Sequence, residues 1–488
     1  MVKSFMNKKS IAVFSKLVII ISFEFICMAI MAFGIQDKTK YAAFGIVFAI
    51  LLVGFALFLP KNILKIKEII VFLSLTGLCL FIKAVSANIF QPTPVADYKT
   101  FYETALYLTE NYHYTVNPLY IALFPHVFGY SEILSLFFKI FGTTTTVAVV
   151  LNVVLSVLSM MFLYKIGKSF GGFSMAVICS VLWIVFPSQS LWNSFILSEP
   201  LYTTELLGFW CLILKMEEVQ ENRKKSIQCA VVAGMVLVLF QMSRTVGAIV
   251  IVALFITLFM VRISEINKKN ALLMLLMIAV FGVGNQLATH HVESRIGTST
   301  GGFSWYHVCV GLEESTGGKW NEQDWNQVLG NVNRFQQEGY EKPAVEAQKE
   351  ERKLAEQKLK NLSNPIRLIK TKLKTLLGND SSGIIIHLKY SDVSLKAKTC
   401  EKIEFSTNSF YYMLVVLSML GAILFFKDPK GNIAFSFLYI IGLTMGHMLI
   451  EVQERYRYSI VAFFLIAASY TVSQLSSRKN KPTSQGFH

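Results

Sequence analysis

Apolar runs return along the whole chain, at residues 11–33, 41–59, 68–89, 143–164, 172–188, 199–215, 227–241, 246–262, 271–289, 409–427, 432–450 and 457–474. Most approach the roughly 20 residues a helix needs to cross a bilayer. The pattern predicts an all-α polytopic membrane protein with about 12 transmembrane helices. Between the runs, two polar stretches are too long to be simple connections, residues 90–142 and 290–408. Recurrence of the runs also excludes a signal peptide followed by a secreted domain.

Composition agrees with this reading. Of 488 residues, 53% are hydrophobic and only 16% charged, and the mean hydropathy is +0.50. The net charge of +15 is distributed unevenly. One set of short connections, from the N-terminal Lys3, Lys8 and Lys9 to Arg478, Lys479 and Lys481, holds 20 basic residues, whereas the alternate set holds five: Lys38, Lys40, Arg244, Arg455 and Arg457. The positive-inside rule then puts both termini in the cytoplasm and the long stretches outside, as in a multi-pass plasma-membrane protein. Residues 292–408 carry 17 basic and 15 acidic residues. The excess positive charge therefore belongs to cytoplasmic loops, and no nucleic-acid partner is expected.

The chain divides into residues 1–67 with two spans, a module at 68–289 that includes the first outer loop 90–142, the large loop 290–408, and 409–488 with three spans and a cytoplasmic tail. In the first loop, prolines, Gly129 and Glu132 break an apolar segment, which predicts surface or re-entrant helices. In the second, residues 343–362 are charged and helix-favouring. Near 364–378, Ile366, Ile369, Leu373, Leu376 and Leu377 share one face opposite Arg367, Lys370 and Lys374, a basic amphipathic helix suited to a membrane surface or to packing on its own domain. Cys309 and Cys400 lie in this loop, and a disulfide between them is left open by their spacing.

Phosphate-binding loops, dinucleotide fingerprints and zinc motifs are absent from the sequence, so chemistry must act on membrane-borne substrates. Asp97 follows Pro92 and Pro94 and precedes Tyr98, Phe101 and Tyr102. A carboxylate held there could deprotonate an alcohol, or cap a helix. Glu199 opens a span, where it also complements the helix dipole. Arg244 sits in a turn short enough to reach lipid phosphate, or to snorkel. Glu451, Glu454, Arg455, Tyr456 and Arg457 crowd the edge between two spans, a density of charge that is costly unless used. Glu24 is an acid inside the first span.

Asp97, FPHVFGY, LSEPLYT, Arg244, VGLEESTGGKWNEQD and EVQERYRY, in this order, resemble the membrane-embedded GT-C glycosyltransferases, and among them the bacterial relatives of dolichyl-phosphate-mannose protein mannosyltransferases (glycosyltransferase 39-like). The resemblance covers the chain from about residue 68 onward. It implies GT-C architecture with outer juxtamembrane helices and an inverting transfer of sugar from a polyprenyl-phosphate donor. Asp97 would be the catalytic base, Glu199 an acid near the donor, Arg244 and Arg455 the phosphate ligands, with Glu451 and Tyr456 completing the site. A glycan or cell-wall polymer would be the acceptor, because Asp97 has no acidic neighbour and the large loop has no repeat-barrel domain of the kind that would suit a protein. No cofactor is required if the arginines neutralise the phosphate; a divalent cation, Mg or Mn, bridging Asp97 or Glu199 to it is the alternative. The rival functions are a flippase for lipid-linked sugars and a polyprenyl-diphosphate glycan polymerase or ligase.

Overall fold

The computed structural model describes residues 7–58, 67–265, 267–428 and 431–479. Lys3, Lys61, Lys65, Lys430 and Lys481 of the basic-residue count, and the tail from 480, lie outside the described residues. Among those described the chain is helical throughout, without a strand. Among the described residues seven helices are long and apolar enough to cross a membrane: Lys8–Phe58, Glu68–Ala87, Thr145–Val185, Arg223–Ser243, Lys268–Ile296, Ala397–Phe425 and the C-terminal Tyr458–Lys479.

Two of the seven are double. A straight helix of 51 residues would be about 77 Å long, far beyond a hydrocarbon core of about 30 Å. The Lys8–Phe58 helix bends at Lys38, where the backbone leaves helical geometry, and the 41-residue Thr145–Val185 helix bends at Gly171 and Gly172. Gly172 takes φ +70°, a conformation a side chain disfavours. The expected spans 246–262 and 432–450 fall on shorter apolar helices, and 199–215 falls on Glu199–Glu218, which begins with a buried glutamate. Twelve crossings therefore remain a reading of the sequence, while seven helices meet the requirement outright.

Close packing sets these helices against each other. A Cβ at Gly45 would lie 2.7 Å from Tyr412 Cβ, and one at Gly34 would lie 2.6 Å from the same ring. Only glycine lets the two arms of the first helix approach Ala397–Phe425 so nearly, the usual device where lipid supplies no hydrophobic drive between helices. The last helix is the centre of the bundle, with every residue from Ser459 to Ser469 buried.

Ion pairs among the described connections fall into two groups. Asp37 pairs with Lys374 at 2.6 Å, Lys38 with Glu404, and Lys319 with Glu454 at 2.8 Å. These belong to the turns and loops assigned to one face. Lys168 pairs with Glu68 and Arg262 with Glu217, both at 2.6 Å, among those assigned to the other. The first long loop forms helices Ala96–Glu110, Pro118–Leu123 and Pro125–Phe141, which share a core of Phe101, Ala105, Leu108, Tyr130, Leu134 and Phe138. Glu132 within it pairs with Arg295 and His291.

The large loop is shorter than its sequence suggests, because Lys268–Ile296 runs past residue 289 and Ala397–Phe425 starts before 409. Between them, helices Glu322–Gln337 and Pro343–Lys360 are locked by Lys358, whose ammonium bridges Asp324 at 2.8 Å and Glu313 at 3.0 Å. The amphipathic helix is Pro365–Leu377, and it differs from expectation. Leu368, Lys372, Leu373, Leu376 and Leu377 face inward, while Ile366 and Ile369 are exposed. The stripe turns because Lys372 reaches the carbonyls of Gly311 (2.7 Å) and Met448 (3.0 Å). All seven cysteines are free, and the Cys309 thiol donates to the Glu351 carbonyl at 2.8 Å. Glu24 keeps one buried oxygen without a partner.

The two-group division makes a prediction about sidedness. In a chain whose native cysteines are replaced, a cysteine at the exposed Lys360 should react with an impermeant maleimide in intact cells, and one at the exposed Lys224 only after permeabilisation. The reverse pattern would invert the topology.

Candidate active site

The site is a cavity of about 560 Å³ on the face that carries the large loop. Its wall includes Asp97, Glu199, Arg244, Glu451, Arg455 and Tyr456, the six residues singled out from sequence, drawn from four separate segments.

Asp97 enters from the start of the Ala96–Glu110 helix. The residue at the cap is Val95, without a side-chain hydrogen bond, so capping is not what Asp97 does. Ala96 beside it adopts φ +46°, a left-handed conformation that costs a non-glycine residue about 1 kcal/mol, and such strain collects at functional sites. Half the Asp97 side chain, 47%, faces the cavity. Its other contact is the Arg455 guanidinium, which bonds Asp97 Oδ2 through Nη2. The same guanidinium lies 3.6 Å from Glu199 Oε1 through Nε. Glu199 opens its helix beside Ser198, is 2% exposed, and keeps Oε2 without a partner. The cation between the two carboxylates is thus Arg455. Among the described residues no group of three or more His, Cys, Asp or Glu is placed to hold a metal ion; Asp97 and Glu199 are the carboxylates that could contribute oxygens to one, in competition with that guanidinium.

Arg244 ends the Arg223–Ser243 helix. Its guanidinium lies 4.0 Å from the centre of the Tyr456 ring and 5.7 Å from that of Tyr202, with no carboxylate at ion-pair distance among the described residues. A cation held by aromatic faces alone keeps its N–H donors for an anion. Glu451 accepts from Gln453 Nε2 at 2.5 Å and from Tyr456 Oη at 3.4 Å, and lies 3.8 Å from His307 Nε2. Tyr456 also stacks on His447, with ring centres 5.0 Å apart.

Electrostatics divide the labour. Burial pushes the Asp97 carboxyl up, and the Arg455 charge and hydrogen bond more than offset it, leaving Asp97 below the ordinary carboxylate value; it is ionised at neutral pH. Burial pushes Glu451 up, against the Gln453 hydrogen bond. Burial, reinforced by Arg244 or Arg455, lowers His126 to about 3 and His307 and His387 to about 4. These histidines line the cavity as neutral rings, so its positive charge is arginine.

Sequence reasoning assigned no role to His126, His307, His387 or His447, nor to Trp320, Trp325 and Tyr390, which also line the cavity. His126 and Trp320 do fall within segments quoted for the resemblance, but a lone histidine or tryptophan has no spacing signal. No family model matches this chain, and no curated protein matches it. Several solved structures are similar, these three among them. The Archaeoglobus fulgidus oligosaccharyltransferase in the apo form has 13% identity and a TM-score of 0.47, covering 85% of this chain and 50% of that one. The archaeal oligosaccharyltransferase AglB from the same organism, in complex with an inhibitory peptide and a dolichol-phosphate, has 12% identity and a TM-score of 0.44, covering 82% and 50%. The oligosaccharyltransferase tethered to an acceptor peptide has 11% identity and a TM-score of 0.44, covering 84% and 49%. The chain spans about half the length of each. At such distances the functional reading rests on the side chains themselves.

Removing Arg455 should destabilise the fold by stranding a buried carboxylate, on the order of 3 kcal/mol for a broken buried pair. Arg455→Ala should lower the thermal transition, and Glu199→Gln added to it should recover part of the loss. A double variant no more stable than the single would show that Arg455 does not compensate Glu199.

Proposed function

We propose that this chain is an inverting glycosyltransferase of GT-C architecture that moves a sugar from a polyprenyl-phosphate donor to an acceptor hydroxyl at the outer face of the membrane. The observation that carries the reading is one cavity in which an ionised, half-exposed Asp97 stands near an arginine without a carboxylate partner, Arg244. A base and an anion site in one enclosure are what a transfer from a phosphate requires.

In this mechanism the donor phosphate binds the free N–H groups of Arg244. The acceptor hydroxyl hydrogen-bonds the open oxygen of Asp97, which takes the proton as the hydroxyl oxygen bonds to C1 of the sugar. The C1–O bond to phosphate breaks on the opposite face, its electron pair leaves with the polyprenyl phosphate, and the anomeric configuration inverts. Arg455 holds Asp97 ionised beforehand and fixes its direction. Glu199 shares that guanidinium from within the wall, where its Oε2 is buried without a hydrogen bond. Glu451 orients Tyr456 by its hydrogen bond, and Tyr456 in turn supports Arg244.

The base role separates cleanly from a structural one. Asn keeps the shape of Asp97 but cannot take a proton, so Asp97→Asn should bind donor lipid while turnover falls by about a hundredfold or more. Release of labelled sugar from polyprenyl phosphate by the purified protein measures it, and it also tells transfer from transport, which leaves the sugar–phosphate bond intact. Near-normal turnover in the Asn variant would move the base elsewhere.

Arg244→Ala should act on the donor instead, raising its KM by at least about tenfold, the scale of a charge-assisted hydrogen bond of about 1.5 kcal/mol. Lysine at 244 should restore only part, since the planar fork is lost. An unchanged donor KM and kcat in the alanine variant would remove Arg244 from the site.

A further inference from the structure

Two aromatic side chains in the cavity wall differ from the rest. Tyr98, Phe101, Phe124, Tyr306 and Tyr456 are buried, whereas Trp320 is 50% exposed and Tyr390 62% exposed. Aromatic surface left exposed in the wall of a cavity is available to stack on a ligand.

Trp320 is held in place by its neighbours. Gly317 and Gly318 take φ +65° and +77°, and a Cβ at Gly318 would lie 2.9 Å from the Lys372 methylenes. The Gly318 carbonyl accepts from Val452 N–H at 2.9 Å, and Lys319 pairs with Glu454 at 2.8 Å. The two residues before Trp320 are therefore tied to the 450–455 segment that carries Glu451 and Arg455. Tyr390 ends the short helix Ser382–Tyr390, three residues after His387, which also lines the cavity.

Inside, the same wall has polar groups that a ligand can reach. Asp97 is half-exposed, and Thr100, Arg244, His307 and Gln453 are partly exposed. A ligand that covers such groups must hydrogen-bond them or leave them unpaired at a cost in free energy. A prenyl chain would leave them unpaired. A peptide bound by backbone pairing would need a strand edge, and the described residues include no strand. A pyranose answers both features, because its C–H face stacks on an aromatic ring while its equatorial hydroxyls reach donors and acceptors.

We propose that Trp320 and Tyr390 form the acceptor subsite of this cavity and that the acceptor is a carbohydrate, stacked at the rim with a hydroxyl directed inward toward Asp97. This rests on the transferase reading for its direction of transfer, but sugar binding can be measured without donor or turnover. Saturation-transfer NMR on the purified full-length chain, with cellotetraose and chitotetraose as probes and a serine-containing decapeptide as control, should show saturation of the sugars and none of the peptide. Trp320→Ala should weaken oligosaccharide binding about tenfold, the scale of one lost aromatic contact, and Trp320→Phe should keep most of it. Thermal transitions of both variants establish that they are folded, and the phenylalanine variant separates stacking from fold. Saturation of neither oligosaccharide, equal binding by the folded Trp320→Ala variant, or saturation of the peptide alone would overturn the proposal. If labelled donor is never cleaved while oligosaccharide still binds, the transferase reading fails and the carbohydrate site stands.

Discussion

The Arg455 guanidinium lies between a carboxylate from the first long loop and another from the start of the Glu199–Glu218 helix, and the site is assembled around that contact. Arg455 belongs to a single 3-10 turn, Glu454–Arg457. Such a turn has three residues per revolution, so successive side chains leave it about 120° apart. Each goes to a different neighbour. Glu454 takes Lys319 of the large loop; Arg455 takes Asp97 and Glu199; Tyr456 takes Arg244, His447 and Glu451; Arg457 takes Asp380 at 3.1 Å in an almost fully buried pair. Four consecutive residues thereby fix the relative positions of the large loop, the first outer helices and the helices that carry or adjoin Glu199, Arg244 and His447.

Charge in the cavity follows from the same arrangement. The carboxylate proposed as the base, Asp97, is stabilised as an anion by an arginine that is itself occupied, and the arginine proposed for the donor phosphate, Arg244, is supported by rings that do not compete for its N–H groups. Both depend on low local dielectric, which strengthens each contact and also makes an unpaired charge costly. Neutral histidines around them add hydrogen-bonding capacity without adding charge.

Stability and function are linked through Lys372 and the glycines beside it. Lys372 spans from the amphipathic helix to the carbonyls of Gly311 and Met448, and a Cβ at Gly311 would run into the backbone of Leu449 and Ile450. The large loop is therefore seated on the segment leading into the Glu454–Arg457 turn. A helix that on its sequence pattern could rest on lipid is spent partly on holding the cavity wall.

The sequence by itself determined what depends on short-range periodicity and on counting. Apolar runs announce helices because a chain in lipid must satisfy its own backbone; the six candidate residues stood out through the order of short segments that resemble a known family, and those at 451–456 also because the charge crowded there at a membrane edge is expensive. Tertiary structure decided the pairings. Asp97 and Arg455 are 358 positions apart, and no local pattern specifies which guanidinium a carboxylate will meet. The amphipathic helix shows the limit within one element: its pattern predicted a continuous apolar face, and Lys372 turned that face inward because two carbonyls from other segments were there to receive it. The histidines and Trp320 were silent for the same reason, since a single side chain has no period and gains its meaning from the walls packed around it.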